Sequence, residues 1–178
     1  ALIVPMLRTE EVGLAAQQSV RLGFGLVYVP LLLAPLIWIR REEDGLGLLF
    51  FLLAITWLGD SGAYFAGRFF GKTPLFPRIS PKKTREGLLG GVVLSVAGAF
   101  LIWALGAVQL PWWAVLGMGV GLDLAGVLGD LAESMLKRAF GVKDSGWIMP
   151  GHGVLLDRID SLLFSGPLLY LCILVRDL

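Results

Sequence analysis

The sequence is short of the residues that most often carry soluble-enzyme chemistry. It holds one cysteine and one histidine in 178 residues. Cys172 has no second thiol to pair with and lies in an apolar run, where it reads as inert packing. Without Cys/His pairs, zinc is disfavoured. Charge of either sign is not in excess: 15 Lys and Arg against 14 Asp and Glu leave a net +1. That excludes the strongly basic face of a nucleic-acid binder. Repeats of 20–50 residues and low-complexity stretches are missing too. The chain opens on Ala1 with no charged n-region leading to a small-residue cleavage site, so no signal peptide is expected. What the sequence has is hydrocarbon. It is 56% hydrophobic, against roughly 45–50% for soluble domains, and the excess is concentrated in long runs. The expected class is all-α, a polytopic integral membrane protein.

Five transmembrane helices are expected in a single membrane catalytic domain, residues 1–178. The first, 22–39, should be kinked at Pro30 and Pro35, and Trp38 sits where an aromatic belt would lie. After a charged turn at 40–44, the second, 46–70, begins as nearly pure hydrocarbon and turns polar at Gly59-Asp60-Ser61. There Asp60, Tyr64 and Arg68 recur every four residues, on one helical face. A polar loop, 71–87, carries Lys72, Arg78, Lys82, Lys83 and Arg85. That density of Lys and Arg beside spans marks the cytoplasmic side. The third and fourth helices, 88–108 and 112–140, are joined by a short link, with Trp112 and Trp113 as interface anchors. A second cytoplasmic loop, 141–153, precedes the last helix, 154–175. The N-terminal segment and both long loops are then cytoplasmic, and the C-terminus is outside.

The polar residues are concentrated in one stretch, 129–161, with five acids, four basic residues and the only histidine. Asp123, Asp130 and Lys137 fall at seven-residue spacing, with Ser134 between the last two. One face of the fourth helix therefore carries two carboxylates, a hydroxyl and an ammonium, with Glu133 beside it. A carboxylate at bilayer depth costs roughly 2.5–3.5 kcal/mol on insertion scales. Asp60, Asp123, Asp130 and Asp157 are therefore expected to turn inward around a polar cavity. Clustered acids need positive charge, and Mg²⁺ with oxygen ligands fits, since it takes one or two protein carboxylates and keeps water and phosphate. Asp130 and Asp157, on different helices, could hold it. Arg68, Lys72, Lys82, Lys83, Lys137, Arg138, Lys143 and Arg158 lie at the same expected face. The segments Ser80–Thr84 and Gly151-His152-Gly153 are tight enough to point N–H groups at an anion. Such a site suits phosphoryl or nucleotidyl transfer.

Each feature alone has a plainer account. An intramembrane acid can pair with a lysine a turn or two away. The basic loop follows from positive-inside charge. His152 between glycines can be a turn residue, and Glu133 and Asp160 can pair locally with Lys137 and Arg158. The co-location of all the clusters on one face exceeds these separate accounts.

The string S-M-L-K-R-x4-K-D-S-x4-P-G-H-G-x3-D-R-I-D at 134–160 resembles the signature of the phosphatidate cytidylyltransferase (CDP-diacylglycerol synthase) family. Two further blocks are similar to the same family: D-S-G-A-Y-F-A-G-R at 60–68 and S-P-K-K-T-R-E-G at 80–87. The resemblance implies an all-helical membrane enzyme that condenses CTP with phosphatidic acid to CDP-diacylglycerol and pyrophosphate. It implies Mg²⁺, held by Asp130 and Asp157, and leaves room for a second cation and for a homodimer. It implies catalytic roles for Asp130, Lys137, Arg138, Lys143, Asp144, His152, Asp157, Arg158 and Asp160. Ser80, Lys82, Lys83, Thr84 and Glu86 match the loop that meets nucleotide or lipid phosphate. Asp60, Tyr64, Arg68, Asp123, Glu133 and Ser134 complete the expected substrate-binding set. Membrane lipid is the other partner, nucleic acid is not, and the expected location is the inner or plasma membrane with the site facing the cytoplasm. Two positions depart from the pattern: Val154 replaces a second glycine, and Arg85 replaces an aromatic.

The expected chemistry is direct attack by the phosphatidate phosphate on the α-phosphorus of CTP, with pyrophosphate leaving. Two other classes compete. A CTP-dependent polyprenol or phytol kinase would transfer the γ-phosphate to an alcohol. A cation-coupled transporter would use the same acids but usually shows inverted repeats. A relative that is inactive alone or needs a partner chain is the third alternative.

Overall fold

The computed structural model of the chain describes residues 11–139 and 156–176. Among these, five helices carry the fold: α1 (Val12–Arg41), α2 (Gly45–Phe70), α3 (Arg85–Ala104), α4 (Trp112–Ala139) and α5 (Leu156–Arg176). A small antiparallel hairpin, β1 (Pro74–Phe76) and β2 (Ser80–Thr84), joins α2 to α3. Helices α1 to α4 are each long and apolar enough to cross a membrane, and α5 has a shorter apolar stretch, Ile159–Val175. The molecule is an all-α integral membrane protein.

Helices α2, α4 and α5 follow the expected limits to within two residues. Helix α1 does not. It begins ten residues before the expected start at 22 and runs unbroken through Pro30 and Pro35. The extra turns are built from VGLAAQQSVR, which contains no proline. Its glutamines and serine dilute the hydropathy signal without weakening the helix, and Ser19 Oγ bonds back to Ala15 O at 2.8 Å. Membrane helices tolerate interior proline because neighbouring groups satisfy the freed carbonyl.

The segment 71–87, expected as a loop, is largely ordered as the hairpin. Pro74 lies opposite Thr84 and Phe76 opposite Ser80. With only two strands, both are edges, and Pro81 is admissible there. Helix α3 then starts three residues earlier than expected, because Thr84 caps it: Oγ1 accepts from Gly87 N at 3.1 Å. It also ends four residues earlier, at Ala104. Gly106 follows at φ +72°, a left-handed conformation in which glycine carries no Cβ penalty. Trp103 Nε1 donates to Leu110 O at 2.8 Å and ties this turn closed.

Helices α2 and α3 approach most closely. A Cβ at Gly62 would strike Gly90 O, and one at Gly90 would strike the Ala66 Cβ. Small residues at the contact let two backbones meet where the bilayer offers little hydrophobic drive. The apolar core lies toward the α1–α2 and α3–α4 turns. It is built from Ile39, Leu48, Phe51, Ile55, Ala99, Val115, Leu122, Leu169 and their neighbours. Polar side chains occupy the opposite half, under the hairpin. One end of the bundle is thus sealed with hydrocarbon, and the other is free to hold chemistry.

Candidate functional site

The hairpin is clipped to the start of α3. Glu86 Oε2 accepts from Lys72 N at 3.1 Å and Thr73 N at 3.2 Å. Arg85 N donates to Thr73 O at 2.9 Å. Glu86 therefore acts as a clasp at the hairpin's base and is not among the cavity-lining residues. The clasp places Ser80, Lys82, Lys83 and Thr84 against a cavity of about 410 Å³ among α2, α3, α4 and α5.

Four carboxylates from three helices line that cavity: Asp60 on α2, Asp123 and Asp130 on α4, and Asp160 on α5. Each has its own surroundings. Lys83 Nζ lies 2.6 Å from Asp130 Oδ2, and Ser134 Oγ donates to Asp130 Oδ1 at 3.3 Å. Asp160 Oδ1 accepts from Ser161 N at 2.7 Å. Asp123 is the most deeply set. It is 5% exposed, and its Oδ1 lies 2.5 Å from Ser95 Oγ, which also lies 2.8 Å from Ile55 O.

Other expected residues are not drawn into the lining. Arg68 Nη1 donates to Tyr64 Oη at 2.7 Å, and of the two only Tyr64 lines the cavity. The face expected to carry Asp60, Tyr64 and Arg68 together therefore delivers its first two members. Lys137 Nζ lies 3.2 Å from Glu133 Oε2, one helical turn away, and neither lines the cavity. The same holds for Ser134, whose hydroxyl bonds to Asp130, and for Arg138, which is exposed. Asp157 and Arg158 fall in the first turn of α5 by backbone, and their side chains lie outside what is described. Lys143, Asp144 and His152 also lie outside the described residues.

Sequence reasoning missed Thr56, Ser95 and Ser161 and the glycines at 59, 91 and 126. Of these, all but Ser95 line the cavity, and Ser95 contacts it through Asp123. Their one signal was a small or hydroxylated residue inside an apolar run. Such residues are ordinary in membrane helices.

The donor set tests the expected cation. Every acidic group at the cavity is a carboxylate, the hard-oxygen chemistry that Mg²⁺ takes. Among the described residues, no three carboxylate, imidazole or thiolate groups gather closely enough to form a ligand cluster.

Comparison with known proteins gives a consistent picture. The model of the cytidylyltransferase family matches residues 2–175. A phosphatidate cytidylyltransferase from Bacillus subtilis (strain 168) is 43% identical over 162 residues, which cover 90% of this chain and 58% of that protein. Phosphatidate cytidylyltransferases from Staphylococcus epidermidis and Staphylococcus aureus are each 45% identical over 130 residues, covering 73% of this chain and 50% of theirs. The chain thus spans about half the length of the curated relatives it matches. A solved structure described as an intramembrane enzyme for archaeal membrane lipids biosynthesis matches with a TM-score of 0.52 at 21% identity. The match covers 70% of this chain and 77% of that one, a likeness of fold.

Proposed function

The chain belongs to the cytidylyltransferase family, and from that premise we propose that it condenses CTP with phosphatidic acid, giving CDP-diacylglycerol and pyrophosphate. One observation carries the proposal: carboxylates from three helices and the Ser80–Thr84 hairpin strand, with its two lysines, line a single cavity at the polar end of a membrane bundle. A transfer between a charged nucleotide and a lipid needs both kinds of group at one place.

In the proposed reaction a phosphate oxygen of phosphatidate attacks the α-phosphorus of CTP. The new P–O bond forms as the bond to the β-phosphate bridging oxygen breaks, and pyrophosphate carries away the electron pair. The attacking phosphate is already an anion, so no activated serine or cysteine is required. Lys82 and Lys83 offset charge on the triphosphate, and backbone and hydroxyl donors of Ser80 and Thr84 orient it. Asp130 and Asp157 would hold Mg²⁺, which would supply positive charge to offset that of the phosphates. Asp60 and Asp160 line the same cavity and keep it hydrophilic. Lys137, Arg138, Lys143, Asp144, His152 and Arg158 belong to the family's signature and are proposed to act with this group.

The site is proposed to face the cytoplasm, because 71–87 carries five Lys and Arg beside two spans and such loops stay on that side. The membrane would be the inner or plasma membrane. CTP labelled at the α- or the γ-phosphate tests the reaction, with Mg²⁺ and a short-chain phosphatidate in detergent. The α-label is expected in the lipid product and the γ-label in pyrophosphate. Gamma-label in a lipid would instead identify a CTP-dependent lipid kinase. No nucleotide-dependent product would contradict both.

A further inference from the structure

The cavity has an inner end that phosphate chemistry does not use. Asp123 sits there, on α4, two helical turns before Asp130. Its Oδ1 is 2.5 Å from Ser95 Oγ on α3, and its Oδ2 is buried with no hydrogen-bond partner. A buried acceptor left unmade costs about 1–3 kcal/mol, more when charged. The fold makes room for this group deliberately: a Cβ at Gly59 on α2 would strike both Asp123 Oδ1 and Ser95 Oγ. Three helices thus contribute to holding one carboxylate at the cavity wall. Lys83 makes its ion pair with Asp130, two turns away, and Asp123 has no ion pair among the described residues.

We infer that Asp123, braced by Ser95 and accommodated by the missing side chain at Gly59, accepts a hydrogen bond from the exocyclic amino group of the nucleotide's base. The inference rests on the proposed reaction and says which part of the nucleotide lies where. A carboxylate oxygen without a partner calls for a donor. Of the two proposed substrates, phosphatidate brings acceptors and acyl chains, whereas the nucleotide brings amino and hydroxyl donors. Position selects between those donors. Seven residues of helix separate Asp123 from Asp130, about 10 Å at 1.5 Å per residue. With phosphates at Asp130 and Lys83, that span is of the order of the distance from an α-phosphate across the ribose to the far edge of the base. Both acids line the same cavity of about 410 Å³, which has room for a flat ring. Acceptance from the cytosine amino group by an acidic side chain is an established pairing. A uracil would place a carbonyl oxygen against the same carboxylate.

Competition binding to the whole chain in detergent tests this with Mg²⁺ present and no mutation. The probes are CTP, UTP and the triphosphate of a pyrimidinone riboside that has hydrogen in place of the amino group. CTP is expected to bind about ten- to a hundredfold more tightly than either of the others. Asp123→Asn and Ser95→Ala should then each shrink that ratio. If the pyrimidinone nucleotide binds as well as CTP, the amino group is not read and the inference is overturned, though the proposed reaction stands. If the analogues bind weakly but Asp123→Asn, still folded by its thermal transition, keeps the full ratio, a different residue reads the base and the inference again fails. If no nucleotide binds at all, the inference and the proposed reaction fall together.

Discussion

Lys83 Nζ and Asp130 Oδ2 lie 2.6 Å apart, joining a hairpin on one side of the cavity to the long helix on the other. The pair is partly exposed, with side chains at 25% and 31%, so it contributes little stability on its own, about 1 kcal/mol or less. Its use is positional, holding a cation beside the carboxylate where phosphate is proposed to bind.

Replacing Lys83 by Met should therefore leave thermal stability nearly unchanged and lower CDP-lipid formation by roughly two orders of magnitude, the usual cost of removing one charge-stabilising group from such a site. Lys83→Arg should recover part of the loss. Turnover measured beside a thermal unfolding curve separates the two effects. A large drop in stability with turnover retained would place Lys83 in the scaffold instead.

Glu86 is expected to matter through the hairpin. Glu86→Gln keeps a side-chain carbonyl for the Lys72 and Thr73 N–H groups but removes its charge, whereas Glu86→Ala removes the acceptor. Limited proteolysis should cut the Ala variant faster within 71–84 than the Gln variant. The apparent affinity for CTP should fall in the same order. Equal cleavage of both variants and the parent chain would mean that the hairpin is held elsewhere.

The α2–α3 contact admits no added bulk. Gly62→Val should lower stability by about 1–3 kcal/mol, as overpacking of a tight interface does. Gly117→Val, in the same bundle but at a glycine with open space around it, should cost far less. Thermal transitions in one detergent compare them directly, and similar values for both would contradict the close approach at Gly90.

These contrasts also explain what could be read without coordinates. The spans were legible because bilayer thickness imposes a length of apolar helix that few other constraints imitate. Asp60, Asp123 and Asp130 were legible as inward-turned because a carboxylate facing lipid is costly. The start of α1 was not, since Gln17, Gln18 and Ser19 lower hydropathy while the helix continues through them. Nor was the hairpin, because its three prolines read locally as breakers, whereas the clasp at Glu86 is a contact across thirteen to fourteen residues. Ser95 was invisible for a similar reason: its partner Asp123 is 28 residues away, and nothing in an apolar run marks one serine as paired. Arg68 was misplaced because four-residue spacing fixes a face only within the arc of a side chain, and its guanidinium bonds to Tyr64 instead.

The central claim is that Asp130 belongs to a cation-assisted nucleotide site built from separate helices. Titrating CTP into the chain with and without Mg²⁺, and repeating this with Asp130→Asn, tests it most directly. The account predicts that Mg²⁺ tightens CTP binding at least tenfold for the parent chain and has little effect on the variant. Equal enhancement by Mg²⁺ in both would contradict it.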